Sequence, residues 1–158
     1  SSPEVGKFED ALDDGFFERS VEITTYEMKW PYEQYVAKFA NLLEKRVLDR
    51  MANAASVTPA RYADLLADKE VMRDRARRTL AGSDGFITLT APGPAPVARD
   101  HTGSRAYQVY PTFLGLPAFS LPLLTVDRMP LGVQVIGMPA KDGALAATAN
   151  WLTQAART

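Results

Sequence analysis

The sequence predicts an α/β protein in which helices come first and short strands follow. Of its 158 residues, 46% are hydrophobic and 23% charged, as in ordinary globular domains. Residues 1–81 are charged and have helical apolar spacing, whereas residues 82–158 contain most of the eleven prolines. Neither part carries a complete pattern of its own, so we interpret residues 1–158 as a single domain or a fragment of one.

Helices are expected between residues 8 and 80. Apolar residues between 8 and 17 predict a short first helix. Pro31 suits the first turn of a second helix, and residues 32–51 continue it with an apolar stripe of 3.6-residue period. Thr58 and Pro59 are typical of an N-cap and a first helical residue, and Gly82 of a helix end, so they bound a third helix.

The strands and the remaining helices fall in the second part. Residues 86–90 predict a strand, and the proline-rich run 91–96 predicts an irregular loop. Residues 106–113 suggest a short helix that Gly115 allows to end. Buried strands are predicted over 118–124 and 132–136, followed by a helix with Asp142 as its cap and apolar residues at Leu145, Ala149 and Leu152.

Two details of the strands give further expectations. Pro117 and Pro122 bracket the first buried strand, where they limit pairing at its ends. Gln134 alternates with Val133 and Val135 and therefore lies on the opposite face of the sheet from them. If its amide is buried there, it must find hydrogen-bond partners.

Charge and composition exclude several function classes. Lys and Arg number 18 and Asp and Glu 19, so the net charge of −1 gives no general attraction to nucleic acid or to anionic membranes. Without cysteine there is no disulfide or thiol nucleophile, and one histidine cannot form a histidine cluster for a metal. No stretch predicts a signal peptide or a membrane span. We therefore expect a soluble, cytoplasmic protein with no metal, no cofactor and no nucleic-acid or membrane partner.

Polar residues elsewhere in the sequence give only weak evidence of a functional site. His101 with Asp100 and a serine, Ser104 or Ser120, has the residue types of a hydrolase triad, but no nucleophile-elbow motif accompanies them, and an exposed loop histidine is the favoured interpretation. Two charge clusters are interpreted as solvated faces, the first rather than as an anion or nucleic-acid patch and the second rather than as a calcium loop. Their members are Arg73, Arg75, Arg77 and Arg78, and Asp10, Asp13 and Asp14.

Five segments, in the correct order, together resemble the C-terminal part of the amidase signature family. They are an Asp-strand-Ala-Pro run (84–92), a proline-rich loop (93–96), Thr-Gly-Ser-Arg-Ala-Tyr (102–107), Gly-Leu-Pro-Ala-Phe-Ser-Leu-Pro (115–122) and Met-Pro-Leu-Gly-Val-Gln-Val-Ile-Gly (129–137). The resemblance implies part of an α/β/α layered fold with a mixed sheet, and an amide hydrolase as the whole protein.

The resemblance also implies which residues to assign to catalysis and to substrate binding. The family's Ser–cis-Ser–Lys triad belongs to its N-terminal half, and this sequence has no Gly-Gly-Ser-Ser segment, so no catalytic residue is assigned. The stretch that faces the acyl side of the substrate corresponds to Thr90, Ala91, Thr102, Arg105 and Val109. Arg105 stands where the family often has proline. Its guanidinium can bind a carboxylate, or it can point to solvent.

The expected partners follow from the same resemblance. A C-terminal fragment, or one piece of a split enzyme, would bind a small-molecule amide only when complete. It would associate with the missing N-terminal half or with itself, since exposed sheet edges and apolar surface favour association. A catalytically inactive fragment or a docking structural subunit is the alternative. A component of a tRNA-dependent amidotransferase belongs to the same family, but the neutral charge and missing aromatic platform give it no support.

Overall fold

The structure, a computed structural model, describes residues 15–97 and 103–156 and divides into two compact units. The helical unit ends at Val71 and the layered unit begins at Met72, inside a long helix. The helices of the first part are α1 (Phe16–Phe39), α2 (Lys45–Asn53) and α3 (Pro59–Leu80), with short 3-10 turns at Ala40–Leu42 and Ala54–Ser56. No helix among the described residues is long and apolar enough to cross a membrane.

Helix α1 differs from the prediction at Pro31. The helix runs through this proline without a break and is 24 residues long, so Pro31 does not mark a helix start. Proline removes one backbone N–H from a helix interior, but a long helix keeps its other hydrogen bonds. Residues 8–14 of the predicted first helix lie outside the described residues.

The predicted apolar stripe of residues 32–51 does not form one buried helix. Regular helix stops at Phe39, and Leu43 is extended before α2 begins. Several stripe side chains are exposed, with Tyr35 at 56% and Leu42 at 76%. The buried side chains of the helical unit are instead Ile23, Thr25, Ala54, Val57 and Leu65.

The bounds of α3 confirm the local prediction. The Arg61 N–H donates to the Thr58 Oγ1 at 3.1 Å, and the Tyr62 N–H donates to the Thr58 carbonyl at 2.9 Å. Thr58 therefore acts as the N-cap that the sequence indicates. After Leu80 the chain turns at Gly82, whose φ of +84° is the left-handed conformation that favours glycine.

The layered unit contains a three-stranded antiparallel sheet. Its elements are β1 (Phe86–Leu89), α4 (Ala106–Leu114), β2 (Ala118–Val126), β3 (Met129–Ile136) and α5 (Asp142–Ala155). The strand order is β1-β3-β2, so β3 is central and pairs antiparallel with both neighbours. The family resemblance implies a mixed sheet, but no parallel pair occurs among the described strands.

Helices contact both faces of this sheet. On one face the Gln134 amide donates to the Tyr107 carbonyl in α4 at 2.8 Å, and the Phe86 ring stacks on Tyr110 at 6.0 Å. Gln134 is only 4% exposed, which confirms that its buried amide needs and finds a partner. On the other face an apolar core joins the sheet to α5 and consists of Leu121, Val135, Leu145 and Ala149. The result is the layered α/β arrangement that the sequence predicts.

The positions at which helices and strands begin and end confirm some predictions made from single residues and correct others. Helix α4 ends at Gly115 with φ +65°, as expected. Pro122 lies inside β2 rather than at its end, next to a register shift between Leu121 and Leu124 that accommodates the missing donor. Asp142 is the first residue of α5 and the N-cap is Lys141, so the prediction that Asp142 is the cap is wrong.

Candidate functional site

Thr90, the residue after β1, is held by three other elements. Its N–H donates to the Gly132 carbonyl of β3 at 2.8 Å, and its own carbonyl accepts from the Gln108 Nε2 of α4 at 3.2 Å. Its Oγ1 lies 2.8 Å from the Ser120 Oγ of β2 in a hydrogen bond where either hydroxyl can donate. The backbone and the side chain of Thr90 are therefore both fixed at the end of the strand.

Gly132 makes this approach possible. A Cβ built on Gly132 would lie 2.6 Å from the Ser120 Oγ and 2.6 Å from the Thr90 Oγ1. Both hydroxyls therefore occupy the space that any other side chain at this position would fill. A glycine inside a strand is the sequence signal for such a close approach, although the sequence alone does not say which groups approach it.

The first turn of α4 lies beside Thr90. Arg105 precedes the helix, and its carbonyl accepts from the Gln108 N–H at 2.9 Å and the Val109 N–H at 3.2 Å. Since the Gln108 side chain bonds to Thr90, this turn is joined to the end of β1. Arg105 is exposed and Val109 is half-buried.

The proline-rich loop returns toward the same turn. Its first residue, Ala91, is half-buried and follows Thr90 directly. Near its other end, the Pro96 ring lies so close to Gly103 that a Cβ there would be 3.5 Å from the Pro96 Cδ. The structure thus places Thr90, Ala91, Arg105 and Val109 around α4's first turn. Thr102, the fifth predicted residue, lies outside the described residues.

Among the residues that the structure describes, the weaker motifs form no site; the carboxylates Asp10, Asp13 and Asp14 lie outside them. Asp100 and His101 lie outside the described residues, and Ser120 bonds to Thr90 instead. In the arginine run, Arg77 forms an ion pair with Asp74 at 2.6 Å on the exposed helix. Within residues 15–97 and 103–156, no three His, Cys, Asp or Glu side chains gather as a metal would require.

The described side chains around Thr90 can form hydrogen bonds within the protein or with a ligand. A guanidinium such as that of Arg105 can hold a carboxylate by hydrogen bonds, whereas the Thr90 hydroxyl and the Gln108 amide are bonded to Ser120 and to the Thr90 carbonyl. A serine nucleophile needs a neighbouring base, and the hydrogen-bond partner of Ser120 in the described structure is the Thr90 hydroxyl. Sequence reasoning missed Gln108 and the role of Gly132 because both depend on pairing between distant segments.

No protein-family model matches the sequence, and no curated protein matches it. Solved structures do match. A crystal structure of an amidase superposes with a TM-score of 0.82 at 24% identity, over 91% of this chain and 36% of the amidase. A second match is the inhibitor-bound structure of a vestigial protein complex that reveals the evolutionary origins of an s-triazine catabolic enzyme. It superposes with a TM-score of 0.73 at 20% identity, over 90% of this chain and 35% of that chain.

A third match is the A-type subunit of the glutamyl-tRNA(Gln) amidotransferase from Thermotoga maritima, with a TM-score of 0.52 at 21% identity. It covers 92% of this chain and 37% of the Thermotoga protein. The fold is therefore that of one part of an amidase. The chain spans about a third of the length of the amidase-like structures that it matches.

Proposed function

We propose that this chain is the C-terminal part of an amide hydrolase, and that it contributes sheet and the acyl side of the substrate pocket to a Ser–cis-Ser–Lys site located outside residues 1–158. The observation that carries the proposal is the match to an amidase over 91% of this chain and 36% of that one. Five sequence segments that resemble the same family add independent support, because they occur in the family's order.

The contribution of this chain is the acyl side of the pocket. Arg105 and Val109 lie at the first turn of α4, and Thr90 and Ala91 lie beside it. Together these residues offer hydrogen-bond donors, a cation and apolar surface. Thr102 belongs to the same proposed set by its position in the sequence. The exposed Arg105 guanidinium is the group that would recognise a carboxylate on the substrate.

The proposed partner is the polypeptide that supplies the rest of the amidase fold, or a second copy of this chain in its absence. The exposed apolar residues of α1 support association, with Trp30 82% and Tyr35 56% exposed. Exposed aromatic side chains in a continuous group are typical of binding surfaces. The same exposed stripe favours one alternative, a catalytically inactive subunit whose role is to dock onto a catalytic half.

Two measurements test the proposal. The chain alone should neither hydrolyse amides nor react with a serine-directed fluorophosphonate, while a complete amidase used as control should do both. Covalent labelling of this chain together with amide turnover would show that it carries its own nucleophile, and the proposal would be wrong.

The native mass of the protein, compared with its denatured mass, distinguishes the two roles. A complex that contains a larger polypeptide with amidase activity supports the substrate-pocket role. A complex whose amidase activity does not change when Arg105 is replaced by alanine, although this chain stays bound, favours the docking role. A lone 17.3 kDa chain under native conditions contradicts the association itself.

A further inference from the structure

We propose that Ser120, Gln108 and Gly132 are positioning residues that fix the Thr90–Ala91 turn and α4's first turn relative to one another. The inference deepens the proposed function and rests on it only for the statement that these two turns face the substrate. None of the three residues belongs to the pocket set itself. They act through Thr90.

The first step of the argument is that every polar group of Thr90 is engaged. Its N–H bonds to β3, its carbonyl to α4, and its hydroxyl pairs with β2. Three elements distant in sequence therefore restrain one residue. The peptide that follows, which leads into Ala91, takes its orientation from these three hydrogen bonds.

The second step is that α4 is attached to the sheet through adjacent residues. The Tyr107 carbonyl accepts from the buried Gln134 amide of β3 at 2.8 Å, and the Gln108 amide donates to Thr90 at 3.2 Å. The first bond is protected by burial, because Gln134 is 4% exposed. The second bond ties the helix to the end of β1, so a shift of α4's first turn away from Thr90 would break this hydrogen bond.

The third step concerns the hydroxyl pair. In the sheet register, Ser120 of β2 stands beside Gln134 of β3, which stands beside Thr88 of β1. Thr90 extends past this row and reaches Ser120 across β3, at the point where Gly132 leaves room. The pair therefore bridges the two outer strands above the central strand, which stiffens the sheet at the point where the loop departs.

Hydrogen exchange on the full 158-residue chain tests this positioning. Removal of one hydroxyl by Ser120→Ala should accelerate exchange of the hydrogen-bonded Thr90 amide and of the Gln108 and Val109 amides roughly three- to tenfold, as expected for one lost hydrogen bond. The β3 amides of Val133 and Val135 should change less than about twofold. Ser120→Thr, which restores a hydroxyl on an exposed strand position, should return the slow exchange.

Matched variants separate positioning from general weakening. Gln108→Ala should accelerate the same amides, whereas Thr148→Ala, which removes a hydroxyl bonded within α5, should not. A urea midpoint for each variant reports global stability. If exchange at Thr90 does not change, if Ser120→Thr fails to restore it, or if all sheet amides accelerate together with falling stability, the inference is overturned.

The assembled hydrolase gives the second readout. Ser120→Ala should raise KM for an amide substrate several-fold more than it lowers kcat, and Ser120→Thr should restore KM. A loosened turn in the isolated chain with unchanged KM in the assembled enzyme would reject the proposed pocket. Unchanged exchange in the chain alone would reject only the positioning role, so the two failures are distinguishable.

Discussion

The Arg61 guanidinium donates two hydrogen bonds to the Glu22 carboxylate, from Nε to Oε2 at 2.9 Å and from Nη2 to Oε1 at 2.8 Å. These residues lie 39 positions apart and join α1 to α3 within the helical unit. Next to them the Tyr26 and Tyr62 rings stack at 4.2 Å, and the Tyr62 hydroxyl donates to Glu27 at 2.8 Å. Hydrogen bonds of Glu22 and Glu27 and one stacked ring pair thus join these two helices.

The first prediction concerns acid stability. The hydrogen bond from Arg61 holds the pKa of Glu22 below its ordinary value of 4.5. A carboxylate with a lowered pKa in the folded state contributes stability above its unfolded pKa, and this stability is lost as pH falls through the lowered value. Unfolding free energy should therefore be flat near neutral pH and fall below about pH 4.5.

Glu22→Gln should make that acid decline shallower and lower the stability slightly at pH 7, because the pair is partly exposed. Chemical denaturation followed by helical circular dichroism at several pH values measures both effects. Glu33→Gln, on the exposed surface of the same helix, is the control and should leave the acid decline as it is. An identical decline in Glu22→Gln would contradict the prediction.

Local rules predicted those parts of the fold that depend on a few adjacent residues. Thr58 at the start of α3, Gly115 at the end of α4 and the buried Gln134 all behave as their residue types indicate. Each outcome depends on a backbone conformation or a single unsatisfied polar group. A constraint of this kind belongs to the residue type itself, so it can be predicted from the sequence without knowledge of the tertiary contacts.

The features that the sequence did not predict depend on pairing between segments that are far apart in the chain. The antiparallel order β1-β3-β2 and the contact of Gln108 with Thr90 join segments that no local pattern relates. The apolar stripe on α1 shows a second limit of sequence-based prediction. Helical periodicity identifies an apolar face, but it does not identify what covers that face, and Tyr35 of the stripe is 56% exposed in this chain.

The second prediction is that Gly132→Ala destabilises the layered unit by about 1–3 kcal/mol, as overpacking does in well-packed sites. The added methyl group would lie 2.6 Å from two hydroxyl oxygens, so the Thr90–Ser120 pair must separate. Urea denaturation measures the loss. Gly143→Ala is the matched control, since nothing lies within 4 Å of its added Cβ inside α5. It should stabilise by about 0.5–1 kcal/mol, and equal effects of both variants would contradict the packing argument.

The third prediction concerns the hairpin between β2 and β3. Asp127 and Arg128 have φ values of 51° and 65°, as a two-residue type I′ turn requires. Glycine adopts this conformation more readily than arginine, so Arg128→Gly should stabilise the protein by about 1 kcal/mol in thermal or urea unfolding. Gly82→Ala, at φ +84° with open space around it, should have the opposite sign. A stability loss in Arg128→Gly would show that the arginine side chain makes a compensating contact.

The fourth prediction tests substrate recognition by Arg105. In the assembled hydrolase, Arg105→Ala should raise KM roughly tenfold for an amide with a carboxylate on its acyl side, the loss expected for one charge-assisted hydrogen bond. A neutral amide of similar size should change far less. Arg46→Ala, an exposed arginine of the helical unit paired with Glu44, is the control and should alter neither substrate. Equal effects on acidic and neutral amides would reject the carboxylate role.

The last prediction concerns Trp30 and the apolar stripe that follows it on α1 and the next turn, whose exposed members are Tyr32, Tyr35, Phe39 and Leu42. Aromatic side chains that remain in water favour association, because their burial is worth about 25 cal/mol per Å². The isolated chain should therefore self-associate as its concentration rises, and Trp30→Ala with Tyr35→Ala should shift sedimentation toward the monomer. Alanine keeps the helix intact, so circular dichroism should not change.

Trp151→Ala provides the matched control for that experiment. Trp151 is 63% exposed on α5 in the layered unit, so its removal deletes a similar apolar area elsewhere. If association depends on the α1 stripe, this variant should sediment like the unmodified chain. Equal dissociation by both sets of substitutions would mean that exposed aromatic area in general drives association, and a chain that stays monomeric at every concentration would mean that the stripe does not associate with a second copy.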